Sequence, residues 1–452
     1  MTDKDKPLHR LKTGGFARRL ELSKVGLRYG QRALRQSLRE RFAHDAEQAL
    51  AQRRENIEFF IAELGQLKGS VVKIGQVMAT YADYLMPPEV AEALHSLEDN
   101  TPPMSWRAIR AVLESELGGS RLAELDIERE PLAAASLGQV HRAVHRASGE
   151  ELCIKVQYPG VDATIDADFQ AVMALLKLSR LMDATRNIDD WFGDIRQLLH
   201  KEVDYQQEKR DLDFAYEQLC GESRYVVPLS YYRYSSRRVL TMSYEASHAV
   251  AAAPVAALSQ SRRNALGAAI LRLFLTELFR WQRMQTDPNF GNYRVRIDDR
   301  GERDQLVLLD FGAMRLLPAE FAGQFCEMMR AAYRRDRQSF RQCSIELGFM
   351  KADFPEQVLS NFVDIGIDIA EPLRAAAEAP AAARGEDGLY DWRRSNLPKR
   401  IAKRAVAASI STYFALPPKD FLYVMRKLMG VYALIAQLDA RFDGEPLFRE
   451  FL

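Results

Sequence analysis

The spacing of apolar positions changes several times along the chain, and each change marks a predicted element. From Ile57, the residues Phe60, Ile61, Leu64, Leu67, Val71, Val72, Ile74, Val77, Met78 and Tyr81 recur at helical spacing and predict a packed helix. Gly65, Gly69 and Gly75 lie inside it. Each costs a helix about 1 kcal/mol relative to alanine, so a helix keeping all three calls for close backbone approach on that side. Pro87-Pro88 and Thr101-Pro102-Pro103 punctuate two further helices. From Pro131 to Ala143 the pattern becomes strand, tight loop and strand, and a second strand, Leu152–Val156, follows the turn at Ser148-Gly149. Helices are predicted from Thr164 to about Leu181, from Asn187 through Phe214 and from Ala265 to Phe279. Val239 to Glu245 and Leu306 to Leu309 are strands, and helical patterning resumes by Glu320. Phe421, Val424, Leu428, Val431, Leu434 and Leu438 form a helical stripe of core rather than a lipid site, whereas Ala370 to Gly388, rich in Ala, Pro and Gly, predicts a mobile insertion. The sum is an α+β chain, mainly helical.

Composition changes this picture little. A length of 452 residues suits two or three domains or one large two-lobed enzyme, and 47% hydrophobic content is ordinary for a globular core. The net charge of +1 gives no global field for nucleic acid. The front is the exception: before residue 43, Lys4, Lys6, Arg10, Lys12, Arg18, Arg19, Lys24, Arg28, Arg32, Arg35, Arg39 and Arg41 outnumber Asp3, Asp5, Glu21 and Glu40. Such a basic segment suits either an anionic membrane surface or simple solvation. Cys153, Cys220, Cys326 and Cys343 lack metal or redox spacing, which points to a reducing compartment. The longest apolar run near the end, Leu428 to Ala436, falls short of the roughly 20 residues that span a bilayer. A cytoplasmic location, peripheral at most to the inner face of the cell membrane, is expected.

The candidate chemistry begins at Gln285-Thr286-Asp287-Pro288-Asn289-Phe290-Gly291-Asn292, followed by a short hairpin, the strand Leu306–Leu309 and Asp310-Phe311-Gly312. An Asp, an Asn five residues later and a strand ending in Asp-Phe-Gly is the order of a kinase catalytic loop and its metal-binding Asp. Phosphoryl transfer is mostly positioning and charge neutralisation, so it needs a carboxylate near the acceptor and oxygen ligands for Mg²⁺. Asp287 supplies the first, and Asn292 and Asp310 the second. Upstream, Lys155 lies at the centre of its strand, where kinases hold the α and β phosphates of ATP. The preceding loop, including Ala134, Ala135 and Ser136, lies where their glycine-rich loop covers the phosphates, but here alanine methyls restrict the backbone. Cys153 shares the face of Lys155 by strand alternation and is expected to line the adenine pocket. Met242 and Tyr244 end the last strand of a small lobe and run into a hinge that contacts adenine.

Glu208 is the better candidate to pair with Lys155, while Glu202 and Asp204 reach toward Lys73 or the metal. Glu202 and Glu208, six apart, cannot share one helix azimuth. On spacing alone, Lys73 and Gln76 are an exposed pair on a packed helix. After Gly312, the short run to Pro318 leaves no room for the activation segment of a protein kinase.

From residue 55 onward the chain resembles the UbiB/AarF-type atypical kinase-like proteins, including the coenzyme Q-associated members. The resemblance rests on Lys73-Ile74-Gly75-Gln76, the loop Ala133-Ala134-Ala135-Ser136-Leu137-Gly138-Gln139-Val140-His141-Arg142-Ala143, Lys155 with Val156 to Val161, Glu202-Val203-Asp204-Tyr205, Asp287-Pro288 to Asn292, and Asp310-Phe311-Gly312. It implies a two-lobed protein-kinase-like fold with an N-terminal helical extension over the active site, binding of ATP and Mg²⁺, and ATPase or small-molecule kinase activity. It also implies a link to ubiquinone or another isoprenoid lipid, with a prenyl-quinone precursor as partner and little true protein kinase activity. By the resemblance, Lys73 lies in the active site and engages Glu202, and Lys155 pairs with Glu208. Lys209 and Asp211 depart from the usual Ala and Asn after Glu208. The implied domains are a basic segment (1–55), a family-specific helical extension (56–130), an N-lobe with a helical insert (131–245) and a C-lobe (246–452). The competing readings are a protein kinase and a nucleotide-sensing module without catalysis.

Overall fold

A computed structural model describes residues 71, 73–75, 77–78, 103–135, 137–178, 189–301, 303–407 and 419–452. The basic front segment, the helix expected before residue 71, Gln76 and Ser136 lie outside the described residues. In chain order the structure contains α1 (Trp106–Leu122), β1 (Leu125–Ile127), β2 (Ala133–Ala134), β3 (Gly138–His145), β4 (Glu151–Gln157), α2 (Val161–Leu178), α3 (Asp189–Glu202), α4 (Tyr205–Leu219), β5 (Tyr225–Val226) and β6 (Val239–Ser243). Then come β7 (His248–Ala249), α5 (Ala253–Ala256), α6 (Gln260–Thr276), β8 (Arg283–Gln285), β9 (Tyr293–Arg296), β10 (Gln305–Leu308), β11 (Met314–Leu316), α7 (Ala319–Arg334), α8 (Arg337–Glu346), α9 (Glu356–Ile369), α10 (Leu397–Ala407), α11 (Lys419–Gln437) and α12 (Glu445–Arg449). These form two compact units: the described residues up to Arg210 with Leu229–Tyr244, and those of Asp211–Pro228 with Glu245–Leu452.

In the first unit, β1, β3, β4 and β6 hydrogen-bond in that order, and β2 adds to β3. Leu152, Ile154 and Val156 alternate along β4 and are fully buried, while Cys153 and Lys155 between them are partly exposed. Helix α1 packs on β4 and buries Ile109, Leu113 and Leu117. The buried face also carries a polar chain. Gln139 Oε1 accepts from Met104 N (2.8 Å), and Gln139 Nε2 lies 2.8 Å from His141 Nε2. His141 Nδ1 lies 2.8 Å from Glu128 O, an acceptor only, so this ring is the Nδ1–H tautomer with Nε2 accepting from Gln139. Burial holds the His141 pKa below its usual value, which keeps the ring neutral.

The helix expected from Asn187 through Phe214 is broken in the structure. α3 ends at Glu202, and Asp204 starts α4 by accepting from Gln207 N (3.0 Å). Gln157 Nε2 donates to Val203 O (3.0 Å), so the carbonyl freed by the break is satisfied by β4.

The second unit is built on α6, which is buried on several sides through Leu266, Ile270, Leu271, Leu273, Phe274 and Leu275. Its four-stranded sheet has the order β5-β10-β9-β7, with β10 parallel to β5, and β8 pairs separately with β11. The stripe on α11 is core, with Val424, Leu428, Val431 and Leu434 buried, Leu438 buried just past the helix end and Phe421 half-buried. The expectation of a mobile insertion at Ala370–Gly388 is overturned. Three 3₁₀ turns, Glu371–Leu373, Ala376–Glu378 and Ala381–Ala383, bury Leu373, Ala376, Ala379 and Ala383. Buried Glu371 accepts from Tyr390 Oη (2.9 Å) and from Arg400 Nη2 (2.5 Å). Small side chains let this backbone pack closely, so low hydrophobicity here does not mean disorder.

Candidate functional site

In the first unit the break between α3 and α4 sends two glutamates to two lysines. Lys73 Nζ lies 2.9 Å from Glu202 Oε1, and Lys155 Nζ lies 2.6 Å from Glu208 Oε1. The Glu208 side chain is only 3% exposed, so its carboxylate relies on charged and hydrogen-bonded company. Asp204 serves its own helix as the cap. Tyr205, the first residue of α4, places its ring 5.1 Å from Lys155 Nζ. A Cβ at Gly138 would lie 2.6 Å from Tyr205 Oη and 2.7 Å from Val156 O, so only glycine admits this close approach of α4 to the sheet. Gly138 and Tyr205 are site-forming residues quoted only as motif letters at the sequence level.

Ala134 pairs with Gln139, and Ala135 N donates to Gly138 O (2.8 Å), which closes the exposed alanine turn tightly. Cys153 lies opposite Met242 on β6 and opposite Arg142 on β3, so these residues share the face of Lys155. Met242 is buried on that face. Tyr244 N continues the ladder to Glu151 O (2.9 Å), and its ring lies under the Arg142 guanidinium, 4.7 Å from the centroid.

In the second unit the metal-ligand candidates are brought together by strand pairing. Tyr293 on β9 pairs with Leu308 on β10, and Leu309 N donates to Asn292 O (3.0 Å), so Asn292, just before β9, and Asp310, just after β10, lie at the same end of adjacent strands. Asn292 Nδ2 lies 3.2 Å from both Asp287 O and Asp287 Oδ2, which turns its Oδ1 away from Asp287. Asp310 Oδ1 accepts from Gly312 N (2.8 Å). An Asp carboxylate and an Asn carbonyl are hard oxygen donors of the kind that fits Mg²⁺, which commonly takes one or two protein ligands and fills its shell with phosphate and water. Gln285 links the two segments: its Oε1 accepts from Asp287 N (2.9 Å) and its Nε2 donates to Asp310 O (2.6 Å). Thr286 adds two hydrogen bonds to Ala313 O.

Helix α11 supplies further residues that sequence patterning passed over. Arg426 Nη2 lies 3.2 Å from Asp287 Oδ1. Lys427 is buried 2.9 Å from Glu277 Oε2 and 2.9 Å from Tyr293 Oη. Burial alone lowers the Lys427 pKa, but Glu277 and Tyr293 outweigh it and hold the ammonium above its usual value. The available signal was an Arg-Lys pair interrupting an apolar stripe. Asp211, a departure from the family pattern, is buried against Arg283, whose guanidinium stacks 4.4 Å from the Phe214 ring centroid. After Gly312, β11 leads directly to α7 at Ala319, so the segment is short.

Residues 96–344 match the model of the ABC1 atypical kinase-like domain. The chain is 29% identical over 405 residues to the mitochondrial atypical kinase COQ8 of Schizosaccharomyces pombe, covering 89% of this chain and 64% of that protein. It is 28% identical to COQ8 of Saccharomyces cerevisiae (87% and 76% covered) and 30% identical to COQ8B of Danio rerio (87% and 60%). The chain thus spans less than two thirds of the fission yeast and zebrafish relatives. A solved complex of Rv3197 with erythromycin from Mycobacterium tuberculosis superposes with a TM-score of 0.61 at 21% identity, covering 91% of this chain and 98% of that one, a likeness of fold. The fold is kinase-like.

Proposed function

The chain belongs to the ABC1 atypical kinase-like family, and from that premise we propose that it binds Mg-ATP and acts as an ATPase or small-molecule kinase supporting ubiquinone or other isoprenoid lipid metabolism. Asn292 and Asp310 hold the metal, which when bound neutralises charge on the phosphoryl group being transferred. Lys155 holds phosphate oxygens, and Glu208 fixes the direction of the lysine. Ala134, Ala135 and Ser136 cover the phosphates; Cys153, Met242 and Tyr244 receive the adenine. Asp287 orients the acceptor and takes its proton. Lys73, Glu202 and Asp204 belong to the same machinery, Asp204 through the helix start that separates the two glutamates. The domain boundaries at 55, 130 and 245 are part of this reading.

The observation that carries the proposal is the joining of Asp287 to Asp310 through Gln285, with Asn292 bonded to Asp287. These bonds hold Asp287, Asn292 and the Asp310 backbone in a fixed local geometry, which supports the phosphoryl-transfer reading. The short passage from Gly312 to Ala319 favours a small acceptor or water over a protein substrate. The lipid link is supported by the motif resemblance and by the COQ8 relatives. No helix among the described residues is long and apolar enough to cross a membrane, and lipid contact is assigned to the basic front segment.

Phosphate release by the purified protein tests the reading, measured with and without anionic vesicles and prenyl-phenol compounds. Mg-dependent release, stimulated by one or both additions, is expected. No release and no nucleotide binding under any condition would overturn it.

A further inference from the structure

The contacts of α11 give the loop around Asp287 a rigid support that the family motifs do not contain. Lys427 is anchored in the interior by Glu277 and Tyr293, the residue immediately after Asn292. One helical turn from Arg426, a Cβ at Gly430 would lie 1.9 Å from Pro288 Cβ, so helix and loop are in direct contact beside Asp287. Toward its start, α11 reaches the strand after Asp310-Phe311-Gly312: the Arg315 guanidinium lies 3.7 Å from the Tyr423 ring centroid and 3.9 Å from Asp420 Oδ1. Asp420, Tyr423, Lys427 and Gly430 repeat at three and four residues, so a single helix face touches both segments.

From this support Arg426 reaches Asp287. The two carboxylate oxygens of Asp287 are held separately, Oδ1 by Arg426 Nη2 and Oδ2 by Asn292 Nδ2, each at 3.2 Å. A carboxylate bonded on both oxygens has its plane fixed, whereas one bonded on a single oxygen keeps a torsional freedom. The Arg426 and Asp287 side chains are 33% and 28% exposed, a setting in which an ion pair adds little to fold stability. A pair of this kind is better suited to aiming a side chain than to holding the fold together.

We infer that Arg426 is a positioning residue that fixes the Asp287 carboxylate toward the phosphate acceptor, with α11 as the rigid element that carries it. The inference rests on the phosphoryl-transfer reading above. In that reaction one Asp287 carboxylate oxygen must accept the O–H of the attacking group, leaving that oxygen's lone pair aimed at phosphorus, and a misdirected carboxylate slows the chemical step without weakening nucleotide binding. Arg426 touches neither nucleotide nor acceptor in this scheme and acts only through Asp287.

The test compares wild type, Arg426→Ala and Arg426→Lys. For Arg426→Ala, kcat is expected to fall about tenfold with the KM for ATP within about twofold of wild type. Arg426→Lys should recover part of kcat, and added guanidinium should raise kcat of the alanine variant. Without nucleotide, hydrogen exchange of residues 286–293 should quicken in Arg426→Ala, while thermal midpoints stay close to wild type. If wild type binds and turns over no ATP, the phosphoryl-transfer reading fails, and this inference with it. If wild type turns over ATP and Arg426→Ala matches it, the inference alone is wrong. It is equally wrong if both variants lose kcat alike, with lowered melting and no response to guanidinium.

Discussion

The two units hold their charged groups in opposite ways. The first reaches across the sequence: Lys155 is matched to Glu208, 53 positions away, and Lys73 to Glu202. The Asp287 loop of the second works mainly locally. A loop of six residues from Asp287 to Asn292 fixes itself through Gln285 and Asn292, and one helix braces it from outside. Long-range pairing makes the lysines of the first unit depend on tertiary assembly. The loop of the second has its donors and acceptors built in, so its geometry forms whenever β9 pairs with β10 and β8 with β11. The buried Lys427–Glu277 pair of the second unit sits behind the loop and not in it.

The largest expected effect is therefore on that buried pair. Lys427→Met leaves the Glu277 carboxylate, 4% exposed, without its cation, and removing one partner of a buried pair costs about 3–5 kcal/mol. Urea unfolding should register that loss, and Glu277→Leu in the same chain should recover much of it. A loss below about 1 kcal/mol would show that the pair behaves like a surface bridge, and the contrast between the units would weaken.

A matched substitution in each unit sharpens the contrast. Gly138→Ala pushes a methyl into Tyr205 Oη and Val156 O, and Gly430→Ala pushes one into Pro288. Each should cost about 1–3 kcal/mol as an overpacked contact. The consequences should differ. Gly138→Ala displaces α4 and its Glu208, and is expected to raise the KM for ATP. Gly430→Ala displaces the Asp287 loop, and is expected to lower kcat. Equal effects on both constants in both variants would remove the division of labour proposed for the two units.

A smaller effect is expected at Asp204. Its loss as an N-cap in Asp204→Ala should cost about 1 kcal/mol, measurable by denaturant midpoint. A loss of turnover well beyond what that instability explains would return Asp204 to a direct role.

The subtlest effect is on pH. Burial lowers the folded-state pKa of His141 below 6.5, so the unfolded chain binds the proton first. Stability from this group is complete above pH 6.5 and declines as pH falls through 6.5 toward the folded value. Thermal midpoints between pH 7.5 and 5 should fall less steeply in His141→Asn than in wild type. Parallel profiles would mean that the buried ring does not report on this part of the first unit.

What could be read from the sequence follows the same division. That Asp287, Asn292 and Asp310 lie together was legible because they fall within one loop and the end of one strand. Lys155 was legible from its strand, and Glu208 only as the better of several acids, since nothing local says which helix face meets the sheet. The break at Val203-Asp204 was hidden because an acid before an apolar-periodic run serves equally as a helix residue and as a cap. Arg426 and Lys427 were absorbed into a core stripe, since a buried cation is intelligible only once Glu277, Tyr293 and Asp287 are placed around it. Ala370–Gly388 was misjudged for a related reason. Its methyl groups pack in a region sealed by distant partners: Trp392 stacks 5.1 Å from Phe442 and donates to its carbonyl oxygen (3.1 Å), and Tyr390 reaches back to Glu371. No local window contains those partners.

The central claim is that the chain holds Mg-ATP through Asn292 and Asp310. Isothermal titration of ATP, with and without Mg²⁺, into wild type and Asp310→Asn tests it most directly. The amide keeps the shape of the carboxylate but not the charge that neutralises the metal. Wild type should bind ATP more tightly with Mg²⁺ than without, by about tenfold or more, and Asp310→Asn should lose that difference while melting at the wild-type temperature without nucleotide. A Mg²⁺ enhancement undiminished in Asp310→Asn would contradict the account.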